Sequence, residues 1–225
     1  MIPKILNFIW FGNNIPKYAF YSMYKFQEMN PDFRINFIHK TINQVENLDD
    51  EILKNSYEIY QDSITNDKYK DSDLFYVKKY NLFFQKCLTS LMALLDIYRR
   101  EYVQKFGGIY LDCDTFPVKP FDENLLNCKK FMVFDINTDY FDNYFFGSQQ
   151  NEICNDDRFD NKENTNKTKK IYHNKKIVTW DIIYKFTNCN LENYKCDDKN
   201  TYILHMCKYT WDPKNCKVPK IKFDI

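Results

Sequence analysis

The sequence predicts an α/β fold, a mostly parallel sheet covered by helices in a single domain. Three observations carry this expectation. Residues 4–39 alternate strand, helix and strand, the pace of parallel helix-covered units. A long helical pattern over residues 74–106 runs straight into a short strand that ends in carboxylates. Finally, 225 residues are enough for one sizeable core.

Lys4 to Phe11 is almost wholly apolar or β-favouring and reads as a buried first strand, closed by the turn chemistry of Gly12-Asn13-Asn14-Ile15-Pro16. Trp10 falls at its carboxyl end, the edge at which open α/β sheets bind ligands; it either packs in the core or faces a ligand there. Tyr18 to Met29 has helical spacing and stops before Asn30-Pro31. Arg34 to His39 alternates polar and apolar residues as a second strand, and Ile42 to Tyr60 reads as one amphipathic helix. Gln61 to Ser72 is polar loop, and Leu74 to Phe106 is helical with one break near residues 81–89. Gly107 suits a left-handed helix cap. Beyond Pro117 and Pro120, Lys130–Ile136 and Tyr144–Phe146 are expected strands. Residues 151–174, dense in Asn, Asp and Lys, form a polar exposed excursion. A short helix over Val178–Phe186 and a last strand over Thr201–His205 complete the reading.

The chain converges on Gly107-Gly108-Ile109-Tyr110-Leu111-Asp112-Cys113-Asp114. In an extended segment, positions i and i+2 share a face, so Asp112 and Asp114 can act on one object. Two close carboxylates repel unless a proton or cation lies between them, and Mg²⁺ or Mn²⁺ favours such oxygen ligands. The other reading of this pair is a polar loop after an edge strand. In the preceding helix, Asp96 shares a face with Arg99 and Arg100. They form either an intrahelical ion pair worth about 0.3–0.5 kcal/mol or a carboxylate and guanidinium presented together to a hydroxylated, phosphorylated ligand.

Composition narrows the classes. Thirty-two basic and 31 acidic residues give a net charge of +1, with no basic stripe for nucleic acid. Only four glycines occur, so two adjacent ones before the carboxylates imply a special backbone there. The eight cysteines make no Cys-x-x-Cys pair and no zinc spacing, which points to free thiols rather than an oxidised framework. With no leader-like opening and no transmembrane run, a cytoplasmic protein is expected.

Ala93-Leu94-Leu95-Asp96-Ile97-Tyr98-Arg99 followed by Phe106 through Asp114 resembles the sugar-binding signature of Asp-x-Asp glycosyltransferases. Within that group the sequence is most similar to glycosyltransferase family 32, which includes fungal initiating mannosyltransferases and bacterial capsule enzymes. The catalytic domains of large clostridial glucosylating toxins are more distantly similar. Ile2 through Gly12 resembles the family's first strand, and His205 with Thr210-Trp211 its closing segment. The resemblance implies a GT-A fold over residues 1–225, with about 205–225 closing the site, and sugar transfer from a nucleotide-sugar donor with retention. Carried over by position, Trp10 would stack on the nucleobase, Asp96 and Arg99 would hold sugar hydroxyls, and Tyr110 with Asp112 would line ribose and sugar. Asp114 would ligate Mn²⁺ or Mg²⁺ directly, Asp112 directly or through water, and His205 would support the metal or phosphate. Thr210 and Trp211 would contact the diphosphate. Leu95, Asn7, Val178-Thr179-Trp180 and Thr210 depart from the family's usual residues.

The resemblance further implies a UDP-sugar donor first and GDP-mannose next, with a glycan, lipid-linked sugar or protein as acceptor. It points to polysaccharide biosynthesis, and the absence of an anchor-like run favours the cytoplasm of a bacterium, or of a large virus's host, over a lumenal enzyme. Two other readings stand beside it. Asp112-Cys113-Asp114-Thr115 also fits the first motif of haloacid-dehalogenase-type phosphatases, with Asp112 as nucleophile, Asp114 as acid/base and Mg²⁺. That reading gives the Asp96/Arg99 helix no task. A non-catalytic nucleotide-sugar-binding module is the third.

Overall fold

The computed structural model describes residues 1–65, 88–135, 140–152, 169–172 and 202–205. A six-stranded sheet forms its centre, in the order β2-β1-β3-β6-β5-β7. These strands are β1 Ile5–Phe11, β2 Arg34–Lys40, β3 Gly108–Leu111, β5 Lys130–Asp135, β6 Tyr140–Ser148 and β7 Lys169–Tyr172. Strand β1 runs parallel to both β2 and β3; β6 is antiparallel to β3 and β5, and β5 and β7 are again parallel. The sheet is therefore mixed and mostly parallel, as the sequence predicts. A separate ribbon pairs β4 Thr115–Pro117 with β8 Ile203–His205.

Helices cover both faces. On one face, Ala19, Met23 and Phe26 of α1 (Lys17–Met29) pack over Leu6 and Phe8 of β1, Ile109 and Leu111 of β3, and Phe131 of β5. On the other, Leu53 of α3 (Glu51–Thr65) and Leu94, Ile97, Tyr98 and Val103 of α4 (Leu88–Phe106) pack over Ile9, Tyr110 and Phe146. Burial on both sides explains why β1 is apolar on both faces, Asn7 apart, instead of alternating. Because β2 lies on one side of β1 and β3 on the other, the chain switches direction at β1, and the carboxyl ends of β1 and β3 flank that switch.

Three expectations change. Residues 42–60 form two helices, α2 (Ile42–Glu46) and α3, rather than one. Leu48 takes a left-handed φ of 49°, and Asp50 caps α3 by accepting from the Leu53 amide at 2.7 Å. Lys40 draws Asp49 and Asp50 away from a helical path, at 3.1 and 2.8 Å, and Tyr98 donates to Asp50. Long-range partners thus override a continuous local pattern. Within the stretch expected as exposed excursion, Lys169–Tyr172 instead extends the sheet beside β5. Two short elements escaped the sequence reading, β4 and α5 (Glu123–Leu126). Of the loop expected over Gln61–Ser72, residues 61–65 are instead the last turn of α3, which meets no Gly or Pro to stop it before Thr65. The rest of that loop, the expected helix over 178–186 and the first half of the 74–106 helix lie outside the described residues.

Among the described residues no helix is long and apolar enough to cross a membrane, and the cysteines Cys113 and Cys128 are free thiols.

Candidate metal centre

The site begins at the glycine pair. Gly107 caps α4 with φ 69°, its amide donating to the Val103 carbonyl at 2.7 Å. Gly108 follows at φ 96°, and a Cβ there would meet the Ile5 carbonyl at 2.8 Å and Asn7 Nδ2 at 2.9 Å. The absent side chain lets β3 pass close against β1. Asn7, wholly buried, donates to the Gly107 carbonyl at 3.2 Å and accepts from Asn36 at 3.1 Å. A residue noted only as a departure from the family pattern therefore ties the turn to two strands.

Strand β3 then delivers Tyr110 and Asp112 toward α4, while Cys113 packs on the opposite, α1-covered core. Asp112 Oδ1 accepts from Arg99 Nη1 at 2.7 Å and from the Tyr110 hydroxyl at 2.6 Å. Arg99 also donates from Nη2 to Asp96, and from Nη1 to Tyr110 at 3.3 Å, with its guanidinium over the Tyr110 ring. The ion-pair alternative for Asp96 and Arg99 is the one the structure shows, and the pair extends to the motif aspartate. Only 5% of the Arg99 side chain is exposed, against 34% for Asp96 and 25% for Asp112. The guanidinium is placed to organise carboxylates that themselves remain open to a ligand.

The outer oxygen of Asp112, Oδ2, faces His205 Nε2 at 3.5 Å, and Asp114 Oδ1 approaches the same nitrogen at 3.2 Å. One ligand atom from each of these three residues lies within 4.8 Å of the other two. The imidazole is stacked on Tyr144, ring centroids 4.0 Å apart. The backbone turn is locked too: Thr115 donates from both its amide and its hydroxyl to the Asp112 carbonyl, at 3.1 and 2.7 Å. Ser22 of α1 donates to the Thr115 carbonyl at 2.5 Å.

Electrostatics favour a charged Asp112. Burial pushes its carboxyl up, but the Arg99 guanidinium, His205 and Tyr110 together outweigh that and hold it below the usual carboxylate range. Burial, with the two flanking aspartates, pushes the Cys113 thiol well above its ordinary value, so it stays protonated and inert. Two carboxylates and an imidazole match the oxygen-plus-nitrogen donor set of a divalent cation such as Mn²⁺. Three protein ligands also leave positions for substrate oxygens. The residues present fit the group.

Sequence reasoning thus named Asp96, Arg99, Tyr110, Asp112, Asp114 and His205, and the structure brings all six into one connected cluster. Trp10 sits half-buried at the carboxyl end of β1, its Nε1 buried without a hydrogen-bond partner against Gly12. Thr210 and Trp211 lie outside the described residues. Tyr144, Asn7 and Ser22 were missed. Tyr144 lay in an expected strand, but nothing local marks which strand aromatic will meet a histidine 61 positions later (205 − 144).

The sequence profile described as "Glycosyltransferase sugar-binding region containing DXD motif" matches residues 16–132. None of the curated protein sequences matches the chain. Among solved structures, the chain is similar to the PaToxG glycosyltransferase, at 18% identity over 67% of this chain and 56% of that one, with a TM-score of 0.40. It is also similar to the catalytic domain of alpha-toxin from Clostridium novyi, at 14% identity over 67% and 55% of the two chains, TM-score 0.37. The UDP-bound glycosyltransferase domain of the YGT toxin is similar at 12% identity over 56% and 41%, TM-score 0.29. The chain spans little more than half the length of the first two.

Proposed function

The chain belongs to the family of glycosyltransferases whose sugar-binding region contains a DXD motif, and from that premise we propose a metal-dependent retaining enzyme. It moves a sugar from a nucleotide-sugar donor to a glycan, lipid-linked or protein acceptor. The observation that carries this reading is the convergence of Asp112, Asp114 and His205 within 4.8 Å, beside an arginine that holds Asp96 and Asp112.

Asp114 Oδ1, Asp112 Oδ2 and His205 Nε2 would hold Mn²⁺ or Mg²⁺, which when bound would neutralise negative charge gathering on the departing nucleoside diphosphate. Asp96, a third exposed, offers its carboxylate to sugar hydroxyls. Asp112 divides its two oxygens, one toward Arg99 and Tyr110 and one toward the metal position. Arg99 is a positioning residue in this scheme. The anomeric centre becomes oxocarbenium-like as the leaving group departs, and the nearby carboxylates favour that charge. Trp10 would stack on the base from the neighbouring strand end, and Thr210 with Trp211 would meet the diphosphate and exclude water.

The reading is tested with a panel of nucleotide sugars and Mn²⁺ or Mg²⁺, measuring released nucleoside diphosphate. Release from a UDP-sugar is expected first, from GDP-mannose next. Phosphate release from simple phosphomonoesters, with no member of the panel bound or cleaved, would replace this proposal with the phosphatase. In the same system, Trp10→Ala is expected to weaken nucleotide affinity by about 1–3 kcal/mol, the scale of lost base stacking. Unchanged affinity in calorimetry would assign Trp10 to the core.

A further inference from the structure

His205 reaches the two aspartates on β8, a three-residue strand that pairs with the three-residue β4. Its pairing places His205 opposite Thr115, Leu204 opposite Phe116 and Ile203 opposite Pro117. A ribbon of three pairs offers few cross-strand contacts to hold its register, and a slip of one residue would turn the imidazole to the other face. Something beyond the three pairs must fix it.

At one end the Tyr144–His205 stack contributes, and at the other the residue before the strand is placed to do so. The Tyr202 carbonyl accepts from the Val118 amide at 2.8 Å, extending the pairing by one step. Its hydroxyl donates to Asp122 Oδ1 at 2.9 Å, and the Lys119 ammonium sits 3.9 Å from its ring centroid. The Phe121 ring lies 6.1 Å away, centroid to centroid. All four partners belong to residues 118–122, the segment that continues directly from β4. Asp122 is itself fixed, since its side chain accepts from the Leu125 amide and caps α5, and Phe121 is held by its amide donating to Asn30 Oδ1 at 2.7 Å. Tyr202 is therefore fastened at one end of the ribbon while His205 stands at the other.

We propose that Tyr202 is a positioning residue, a register lock on β8 that sets His205 against Asp112 and Asp114. The proposal rests on the metal-site reading for its consequence but not for its geometry. Outer partners that orient a ligand typically change metal affinity by about 10–100-fold when removed.

The test uses the whole chain and Mn²⁺ alone. Tyr202→Ala is expected to weaken Mn²⁺ binding about tenfold, by electron paramagnetic resonance titration, and to abolish amide-exchange protection across residues 202–205. Tyr202→Phe keeps the ring under Lys119 and beside Phe121, so it should recover most of both. The decisive comparison is Tyr202→Ala in a His205→Ala background, where no further loss of Mn²⁺ affinity is expected because the lock acts through the imidazole. An equal loss in both backgrounds would make Tyr202 a general structural residue and overturn the proposal, as would retained protection at 202–205 in Tyr202→Ala. If wild-type protein bound no Mn²⁺, the metal-site reading would fail, and the exchange measurement would still decide the lock.

Discussion

Asp114→Asn will leave the protein folded and lower donor turnover by about 10²–10³-fold, the scale seen when one charge-stabilising contact is removed from a transition state. Asparagine keeps the shape of the side chain and loses its charge. Asp114 Oδ1 lies 3.2 Å from His205, and its side chain is only 12% exposed, so bulk water cannot easily supply a substitute ligand. In the metal-free protein the change removes like-charge repulsion with Asp112 and weakens the contact with His205, opposing effects that should leave the melting temperature close to that of wild type. Thermal unfolding and Mn²⁺-dependent donor cleavage measured on one preparation check both halves. Turnover at the wild-type level would remove Asp114 from the chemistry altogether.

The largest stability effect is expected at Arg99. Truncation to alanine strands Asp112 and Asp96 without their shared cation and leaves the Tyr110 hydroxyl with one contact fewer. Breaking a buried ion pair from one side costs about 3–5 kcal/mol, and the partial exposure of both carboxylates sets the expected loss near 3 kcal/mol. Its pH dependence has a definite sign. Asp112 has a folded pKa below its unfolded value of about 3.9. Its pairing therefore contributes stability that is fully present above that value and lost as pH falls through the folded pKa. The gap between wild type and Arg99→Ala should thus be complete at neutral pH and narrow below about pH 4. Urea unfolding across that range checks it, and a gap that widened in acid would refute the role of Arg99 as the partner of Asp112. Lysine at 99 should rescue little, since one ammonium cannot reproduce the fork that reaches both carboxylates.

What could be read from the sequence follows how local each cause is. The strands at 5–11 and 108–111 were legible because burial on both faces leaves an apolar run, and the Gly107 cap because few residues tolerate a positive φ. Asp96, Arg99 and Asp112 were legible by spacing: three residues along a helix, then a glycine turn, then a strand. The break at residues 47–50 was hidden because it depends on Lys40 and Tyr98, distant in sequence. Strand β4 was hidden by its own proline, tolerated at the strand's end opposite Ile203. Strand β7 was hidden by its polar neighbourhood, and is held by backbone pairing beside β5. The Tyr144–His205 stack and the Tyr202 lock are tertiary facts with no local signature.

The alternation along β3 has a further consequence, for how such a site can change over generations. Ile109, Leu111 and Cys113 look into the core beneath α1, while Tyr110 and Asp112 look toward α4. Volume lost or gained under α1 falls first on aliphatic and aromatic neighbours, and reaches the site through Tyr144, which stacks on His205 and whose carbonyl accepts from the Asp112 amide. A change at position 99 or 110 arrives at Asp112 through a single hydrogen bond. One side of the strand and its extension is thus held by packing volume, and the other by hydrogen bonds to the chemistry it carries.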